Sequence, residues 1–239
     1  MSPLDATHIA WRAGTEQLVL ANDRGLLATA KGSTGAIEPL RRPKDEARAP
    51  RQTWMSLSAD GKQLAVNDGD GRLTLWDLTS RRSRELLAPA PSSWTSPVEF
   101  SGDLKHLALA RQGKLEIVSA DSTREVRRFD LGADATPYSL LGWAPDGNYH
   151  VVMGKTLFGV SHEGTESFRH EISDPGAKVT ISPDGRFVAI AGQSLEIVRL
   201  SDGRSVKLVL RQVSGRTEGV IEGAPDAAAL AEFFEGHRP

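Results

Sequence analysis

The stretch Asn67-Asp68-Gly69-Asp70-Gly71 has some of the residue types of a metal-binding loop, because carboxylates alternate with glycines. A calcium loop gathers oxygen ligands around one ion and closes with a bidentate glutamate. Here the third acidic position and the closing glutamate are missing, and the same residues suit a hairpin between two apolar runs. We therefore expect a hairpin turn at this position and no metal.

The other residues that could take part in catalysis or metal binding also lack a recognisable catalytic or ligand-binding spacing. The histidines are scattered, with no pair at metal-ligand spacing: His8, His106, His150, His162, His170 and His237. No serine lies in a Gly-x-Ser-x-Gly elbow, and no glycine-rich phosphate loop ends in Gly-Lys-Ser or Gly-Lys-Thr. The sequence therefore predicts no catalytic residue, no metal and no cofactor.

The elements that must position any site are short strands in a repeated pattern, which is clearest near residue 180. Val179 to Ile181 are β-branched and lead into the turn Ser182-Pro183-Asp184-Gly185. Phe187 to Ala191 are almost wholly apolar, as in a strand covered on both faces. Leu195 to Leu200 form a third strand. Ser205 to Leu210 alternate apolar and polar residues, which predicts the outer edge of a four-stranded antiparallel sheet.

The same pattern recurs along the chain at steps of roughly 40 to 45 residues, with a shorter last step, which is the period of a four-stranded blade. When the five repeats are aligned at their first turn, the same position after that turn holds, in chain order, Leu18, Leu64, Leu107, His150 and Val188. A lone blade cannot cover both of its apolar faces, so repetition is needed for stability. We predict an all-β protein with repeats near residues 8–40, 53–87, 97–129, 138–170 and 178–210.

The pattern changes after Leu210, and residues 211–239 form a separate C-terminal segment in this interpretation. Gly219 to Glu222 read as a short strand, and a helix of about three turns follows, with Pro225 near its start. Leu230, Phe233 and Phe234 fall on one stripe of that helix. The strand and helix are expected to cap the last blade.

The second repeat carries the clearest resemblance to a known family. Trp76-Asp77 ends its third strand, and Ser58-Ala59-Asp60-Gly61 resembles the Ser-Pro-Asp-Gly turn common in bacterial propellers. The chain is thus similar to WD-repeat proteins, which implies a β-propeller acting as a rigid platform for partner proteins. The Gly-His dipeptide of that family is missing, and one repeat of five has Trp-Asp. The family's hydrogen-bonded tetrad is therefore not transferred, and apolar packing is expected to hold the blades.

Composition sets broad limits on the partner and the compartment. The formal net charge is −2 and the pI is near 6.3, so no global positive field favours nucleic acid or an acidic membrane. The chain has no cysteine, and no segment approaches the roughly 18 apolar residues of a membrane span. We expect a cytoplasmic protein that binds neither nucleic acid nor membrane.

The best candidates for partner binding are the connections between successive repeats, which a propeller would gather on one end of its disc. Trp54, Trp94 and Tyr138 precede inner strands, and Arg51 lies beside Trp54. Arg42 belongs to a basic, proline-punctuated loop over residues 39–51, which is either a solvated connector or a docking loop for an acidic partner. Aromatic and Arg side chains on a polar face are typical of protein-binding surfaces, although these rings would also fill gaps between blades.

Three function hypotheses remain open from the sequence. The leading one is a non-catalytic interaction module that presents one end of the propeller to a protein or peptide. The first rival is a propeller enzyme of lactonase or glycosidase type, for which Glu99 is a scattered candidate acid. The second rival is a structural subunit whose propeller is completed by another chain. We expect a closed or self-capped ring of five repeats rather than one completed by a partner.

Overall fold

A computed structural model of the chain describes the following residues: 8–22, 27–41, 54–89, 96–111, 113–121, 126–131, 137–174, 177–182, 184–213 and 216–222. Within these ranges the chain forms strands and turns, and no helix occurs. None of these residues belongs to a helix long and apolar enough to cross a membrane. Packing divides the chain into an N-terminal unit, Met1–Asp134 with His162–Gly164, and a C-terminal unit, Ala135–Ser161 with Thr165–Pro239.

The described residues of the N-terminal unit form three antiparallel blades with strands in sequence order. Blade 1 consists of β1 (His8–Trp11), β2 (Gln17–Ala21), β3 (Leu27–Lys31) and β4 (Ile37–Arg41). Blade 2 consists of β5 (Trp54–Leu57), β6 (Gln63–Asn67), β7 (Leu73–Asp77) and β8 (Arg82–Leu87). Blade 3 consists of β9 (Val98–Phe100), β10 (His106–Arg111), β11 (Lys114–Ser119) and β12 (Val126–Asp130).

The strands of blades 4 and 5 follow the same antiparallel order. Blade 4 consists of β13 (Pro137–Trp143), β14 (Tyr149–Met153), β15 (Thr156–Val160) and β16 (Glu166–Glu171). Blade 5 consists of β17 (Lys178–Ile181), β18 (Phe187–Ala191), β19 (Leu195–Arg199), β20 (Ser205–Val213) and β21 (Arg216–Glu222). The predicted all-β architecture of five antiparallel blades is confirmed.

Blade 5 differs from the prediction at its outer edge. The alternating pattern predicted β20 as the last strand, but β21 pairs with it, from Lys207 opposite Glu222 to Val213 opposite Arg216. The expected C-terminal strand is therefore present and extends the sheet to five strands. The predicted helix with Leu230, Phe233 and Phe234 lies outside the described residues, so the helical cap stays a prediction.

A serine and an aspartate tie the turn between the first and second strands of blade 2. The Ser58 hydroxyl donates to Asp60 Oδ1 at 2.6 Å and accepts the backbone N–H of Gln63 at 2.9 Å. Asp60 Oδ1 also accepts the N–H of Lys62 at 3.0 Å. These bonds fix the residue at which β6 begins and therefore its register.

The same turn recurs in blades 3 and 5. Ser101 donates to Asp103 and Ser182 donates to Asp184, each at 2.6 Å. The serine hydroxyl holds the pKa of Asp103 below its ordinary value, and hydrogen bonds from Ser182 and Arg186 lower the pKa of Asp184 to about 2. In the sequence of blade 4, Ala144 stands in place of the serine and has no hydroxyl group.

The turn glycine also sets how closely neighbouring blades approach within each unit. Gly61 and Gly185 adopt positive φ angles of 67° and 65°. A Cβ on Gly61 would lie 2.9 Å from the backbone of Ala13 in blade 1, and one on Gly185 would lie 2.3 Å from Pro145 in blade 4. Each turn therefore packs directly against the equivalent turn of the preceding blade.

The core of each unit lies between blades and is built from the second and third strands. Leu64 and Val66 pack against Val19 and Leu27 between blades 1 and 2. Apolar side chains of blades 2 and 3 form a second cluster, and those of blades 4 and 5 a third. Val66, Leu109 and Ile190, which the sequence predicts as core residues, are 0%, 0% and 3% exposed.

Replacing Leu109 or Ile190 with alanine is expected to lower the free energy of unfolding by about 2 to 5 kcal/mol, because each change leaves a cavity in a packed core. Leu195→Ala is the matched control, since Leu195 is 37% exposed on the neighbouring strand of blade 5. Urea denaturation measures the difference. Equal midpoints for Ile190→Ala and Leu195→Ala would contradict the core assignment.

His150 is a buried histidine of β14, and the structure corrects its alignment with Leu64, Leu107 and Val188. The turn of blade 4 is one residue shorter, since the Ala144 N–H donates to Asn148 O, so Tyr149 pairs with Trp143 as Leu64 pairs with Leu57, and His150 comes one residue later.

His150 is 1% exposed, and neither ring nitrogen has a hydrogen-bond partner among the described residues. Gly159 on β15 makes room for the ring, since a Cβ there would lie 3.0 Å from His150 Cε1. Burial lowers the pKa of His150 to about 4, and the nearby Asp146 charge opposes that shift.

His150 is expected to make the protein acid-sensitive. The unfolded chain takes up the His150 proton below pH 6.5, whereas the folded chain takes it up only near pH 4. Stability should therefore fall as the pH drops through this window, by roughly 3 kcal/mol from this group. Chemical denaturation across the window should show a smaller slope for His150→Leu than for the wild type. An exposed-histidine control, His162→Gln, should keep the wild-type slope, and an unchanged slope in His150→Leu would contradict this account.

Candidate functional site

Blade 5 contains a polar pocket at the end where its second strand turns into its third. We call this end of each blade, where the chain also enters from the preceding blade, the connection end. In blade 5 the pocket has a volume of about 140 Å³ and is lined by Ser173, Asp174, Ala177, Ile190, Gly192, Gln193, Ser194, Glu196 and Lys207. Ala177 and Ile190 give it an apolar portion, and the other side chains supply polar and charged groups.

Asp174 forms one wall of the pocket by packing against the β18–β19 hairpin. Its Oδ2 accepts the backbone N–H of Gln193 at 3.1 Å. A Cβ on Gly192 would lie 2.2 Å from the same oxygen. Only glycine at this position allows the carboxylate to sit so close to the hairpin.

Glu196 supplies the second carboxylate of the pocket. His170 Nε2 lies 3.1 Å from Glu196 Oε1, and the side chain of Glu196 is 12% exposed. The hydrogen bond from His170 lowers the pKa of Glu196, and burial opposes that shift only in part. Lys207 lies opposite Glu196 on β20 and also favours the charged form. Glu196 is therefore a carboxylate at neutral pH.

Blade 3 carries a matching glutamate in the same register. Glu116 pairs with Leu109 across β10 and β11, as Glu196 pairs with Ile190 across β18 and β19. On the other side, Glu116 faces Arg128, as Glu196 faces Lys207.

Blades 3 and 5 differ at the residue two positions after the apolar partner of the glutamate. Two positions after Leu109, blade 3 has Arg111, and two positions after Ile190, blade 5 has Gly192. The difference decides whether this part of the blade is sealed or open.

Arg111 seals the site in blade 3. Its Nη2 lies 2.9 Å from Glu116 Oε2, and Arg128 Nε donates to Glu116 Oε1 at 2.9 Å. Nη1 of Arg111 also donates to the backbone carbonyls of Gly71 and Ala88 at 3.0 and 2.9 Å. The Arg111 and Glu116 side chains are 10% and 5% exposed. Blade 3 thus fills with its own guanidinium the place that Gly192 leaves open in blade 5.

The sequence contained a signal for this pair of sites that was missed. Leu115-Glu116-Ile117-Val118 recurs as Leu195-Glu196-Ile197-Val198. Charged residues in the middle of otherwise apolar strands are rarely buried without partners. The repetition of this tetrapeptide would have identified both glutamates as candidates.

The residues that the sequence proposed for partner binding stay predictions. Trp54 begins β5 and is half-buried, and its ring lies edge-on to the ring of His8, with centroids 5.2 Å apart. Tyr138 lies in β13, and its side chain is not described. Trp94, Arg51 and Arg42 lie outside the described residues.

The acidic loop over residues 67–71 forms the expected hairpin. The Asp68 N–H donates to Arg72 O at 2.9 Å, and the Gly71 N–H donates to Asp68 O at 2.7 Å. Asn67 is 1% exposed and donates through Nδ2 to Ser96 O at 2.9 Å. In the ranges that the structure describes, no three His, Asp or Glu side chains come close enough to hold a metal ion.

Solved structures of β-propeller proteins resemble this chain over most of its length. Virginiamycin B lyase from Staphylococcus aureus matches with a TM-score of 0.63 and 12% identity, covering 91% of this chain and 85% of that one. The β-propeller domain of Cps50 (Swd1) from Myceliophteria thermophila matches with a TM-score of 0.60 and 14% identity, covering 91% and 71%. The fold is a β-propeller.

A third propeller-containing structure extends the range of functions among these neighbours. The dihydro-heme d1 dehydrogenase NirN in complex with DHE matches with a TM-score of 0.58 and 15% identity. The match covers 90% of this chain and 51% of that one. Sequence identities this low support a shared fold but give no information about activity. No known protein family matches the chain, and no curated protein does.

Removing the sealing guanidinium in blade 3 is expected to destabilise the protein. Arg111→Leu leaves the buried carboxylate of Glu116 with one arginine, and breaking a buried pair in this way costs about 3 kcal/mol or more of unfolding free energy. Arg128→Leu is the control, because the Arg128 side chain is 51% exposed and its loss should cost less. Urea denaturation at neutral pH compares the variants, and equal losses would contradict the sealed arrangement of blade 3.

Proposed function

We propose that this protein is a non-catalytic interaction module of WD-repeat-like type that binds a protein or peptide through the connection ends of its blades. The observation that carries the proposal is the polar pocket of blade 5, which opens at this end. The connections between blades were also the predicted location of the aromatic and Arg candidates. Loops positioned by a rigid β-scaffold are a common location for binding residues.

The shape and lining of the pocket favour recognition over catalysis. At about 140 Å³ it is smaller than the roughly 300–1,000 Å³ of typical ligand pockets, so it suits a single side chain of a larger partner. Its two carboxylates have different surroundings, since Asp174 accepts a backbone amide and Glu196 pairs with His170. Both arrangements hold acceptor oxygens in fixed positions, which suits specific hydrogen bonding.

The enzyme alternative depends on Glu99, the one acidic residue in the described first strands of the five blades. Burial raises the pKa of Glu99 above its ordinary value, as in many general acids. Glycosidases use two carboxyl groups across the reacting bond. The first strands of the other four described blades contain no Asp or Glu, so we favour the interaction module.

The proposal predicts that Trp54→Ala combined with Trp94→Ala abolishes capture of the partner from the native host. The loss of capture should be far larger than any change in the thermal melting temperature, because aromatic hot-spot residues supply much of the binding energy of an interface. Affinity capture followed by mass spectrometry is the measurement.

Lys62→Ala and Lys105→Ala provide the matched control for this experiment. Both lysines are exposed at the opposite ends of blades 2 and 3, and their replacement should leave capture intact. If the tryptophan variant loses its cooperative melt, the rings pack between blades. If capture by the folded tryptophan variant equals that by the wild type, the binding surface lies elsewhere.

A further inference from the structure

The pocket of blade 5 has the form of an arginine site from which the arginine is missing. In blade 3, Glu116 binds the guanidinium of Arg111. In blade 5, Glu196 holds the position of Glu116, and Gly192 holds the position of Arg111. We infer that the pocket of blade 5 binds an arginine side chain presented by the protein partner, an inference that rests on the proposed function.

The cross-strand neighbours support this reading of the pocket. Glu116 keeps Arg128 beside it while it also binds Arg111, so a basic cross-strand neighbour is compatible with a second cation. Lys207 holds the corresponding place beside Glu196. The presence of Lys207 is therefore no obstacle to an arginine in the pocket.

The other polar groups suit a guanidinium better than an ammonium. A guanidinium presents several N–H donors in one plane and binds carboxylates in a bidentate manner. The pocket offers the carboxylates of Asp174 and Glu196 and the hydroxyls of Ser173 and Ser194. Ala177 and Ile190 add apolar surface on which the methylene groups of an arginine can pack.

Gly192 has a defined role in this arrangement. Any side chain at residue 192 would collide with Asp174, whose Oδ2 lies 2.2 Å from the place of a Cβ. Glycine at residue 192 therefore leaves room for Asp174 in the pocket wall, and it has no side chain to fill the place that Arg111 fills in blade 3. This single difference between the blades leaves a pocket lined with hydrogen-bond acceptors in blade 5, where blade 3 has a buried ion pair.

The test is an NMR titration of the isotope-labelled full chain with Nα-acetyl-L-arginine amide. Its matched control is the citrulline amide, which has nearly the same shape and no charge. We expect saturable shifts of the backbone amides of Gly192, Gln193 and Ser194 with the arginine probe, and much smaller shifts with citrulline. No saturable shift, shifts confined to other residues, or equal binding of citrulline would overturn the inference.

Two variants locate the binding groups. Glu196→Gln and Asp174→Asn keep the side-chain shape and remove one charge, and each should weaken binding of the arginine probe about tenfold. Glu166→Gln is the control, because Glu166 is exposed at the opposite end of blade 4, and it should bind like the wild type. If Glu196→Gln does not fold, Asp174→Asn carries the test. Wild-type affinity in a folded Asp174→Asn variant would overturn the inference.

The outcome separates this inference from the proposed function. If the tryptophan variant loses its partner while the arginine probe fails to bind, the interaction module stands and the arginine site falls. If the probe binds in the pocket but no protein partner depends on the connection ends, the proposed function fails and the assignment of the arginine to a partner fails with it.

Discussion

The turn between the first and second strands is the constraint on which the rest of each blade depends. In blades 2, 3 and 5 a serine hydroxyl donates to the aspartate two residues later and accepts the amide that begins the second strand. This network fixes the register of the second strand. A slip of one residue would turn Leu64, Leu107 and Val188 away from the core, where each is 0% exposed. In blades 2 and 5, the glycine of the same turn also allows close contact with the preceding blade.

Because one end of the blade is fixed in this way, its connection end can vary without loss of the fold. Blades 3 and 5 show the range of that variation, since both bury a glutamate in the middle of the third strand. Blade 3 neutralises it with Arg111 and Arg128, and blade 5 leaves it beside His170 and an open pocket. The scaffold and the site are therefore separable, as in other folds that support many functions.

Most of the fold was predictable because its determinants are local. The Ser-x-Asp-Gly turns and the apolar second strands lie within a few residues of each other, and they predicted the repeats and the buried Leu109 and Ile190. The short strand predicted from Gly219 to Glu222 is present as β21, but it begins earlier, at Arg216, and it pairs with β20, which the alternating pattern had predicted as the outer edge. The pocket was not predictable from spacing, since it depends on Gly192 meeting Asp174 from a separate loop. The partner surface proposed around Trp54 stays a prediction, and its ring contact with His8 shows packing between blades 1 and 2.

The central claim, that partners bind at the connection end of the blades, is tested most directly by site-specific photo-cross-linking in the native host. A photoreactive amino acid is placed at Gln193, beside the pocket, or at Asp202, which is exposed at the opposite end of blade 5. The account predicts discrete protein adducts from position 193 and none from position 202. Adducts that form equally at both positions, or only at position 202, would contradict it.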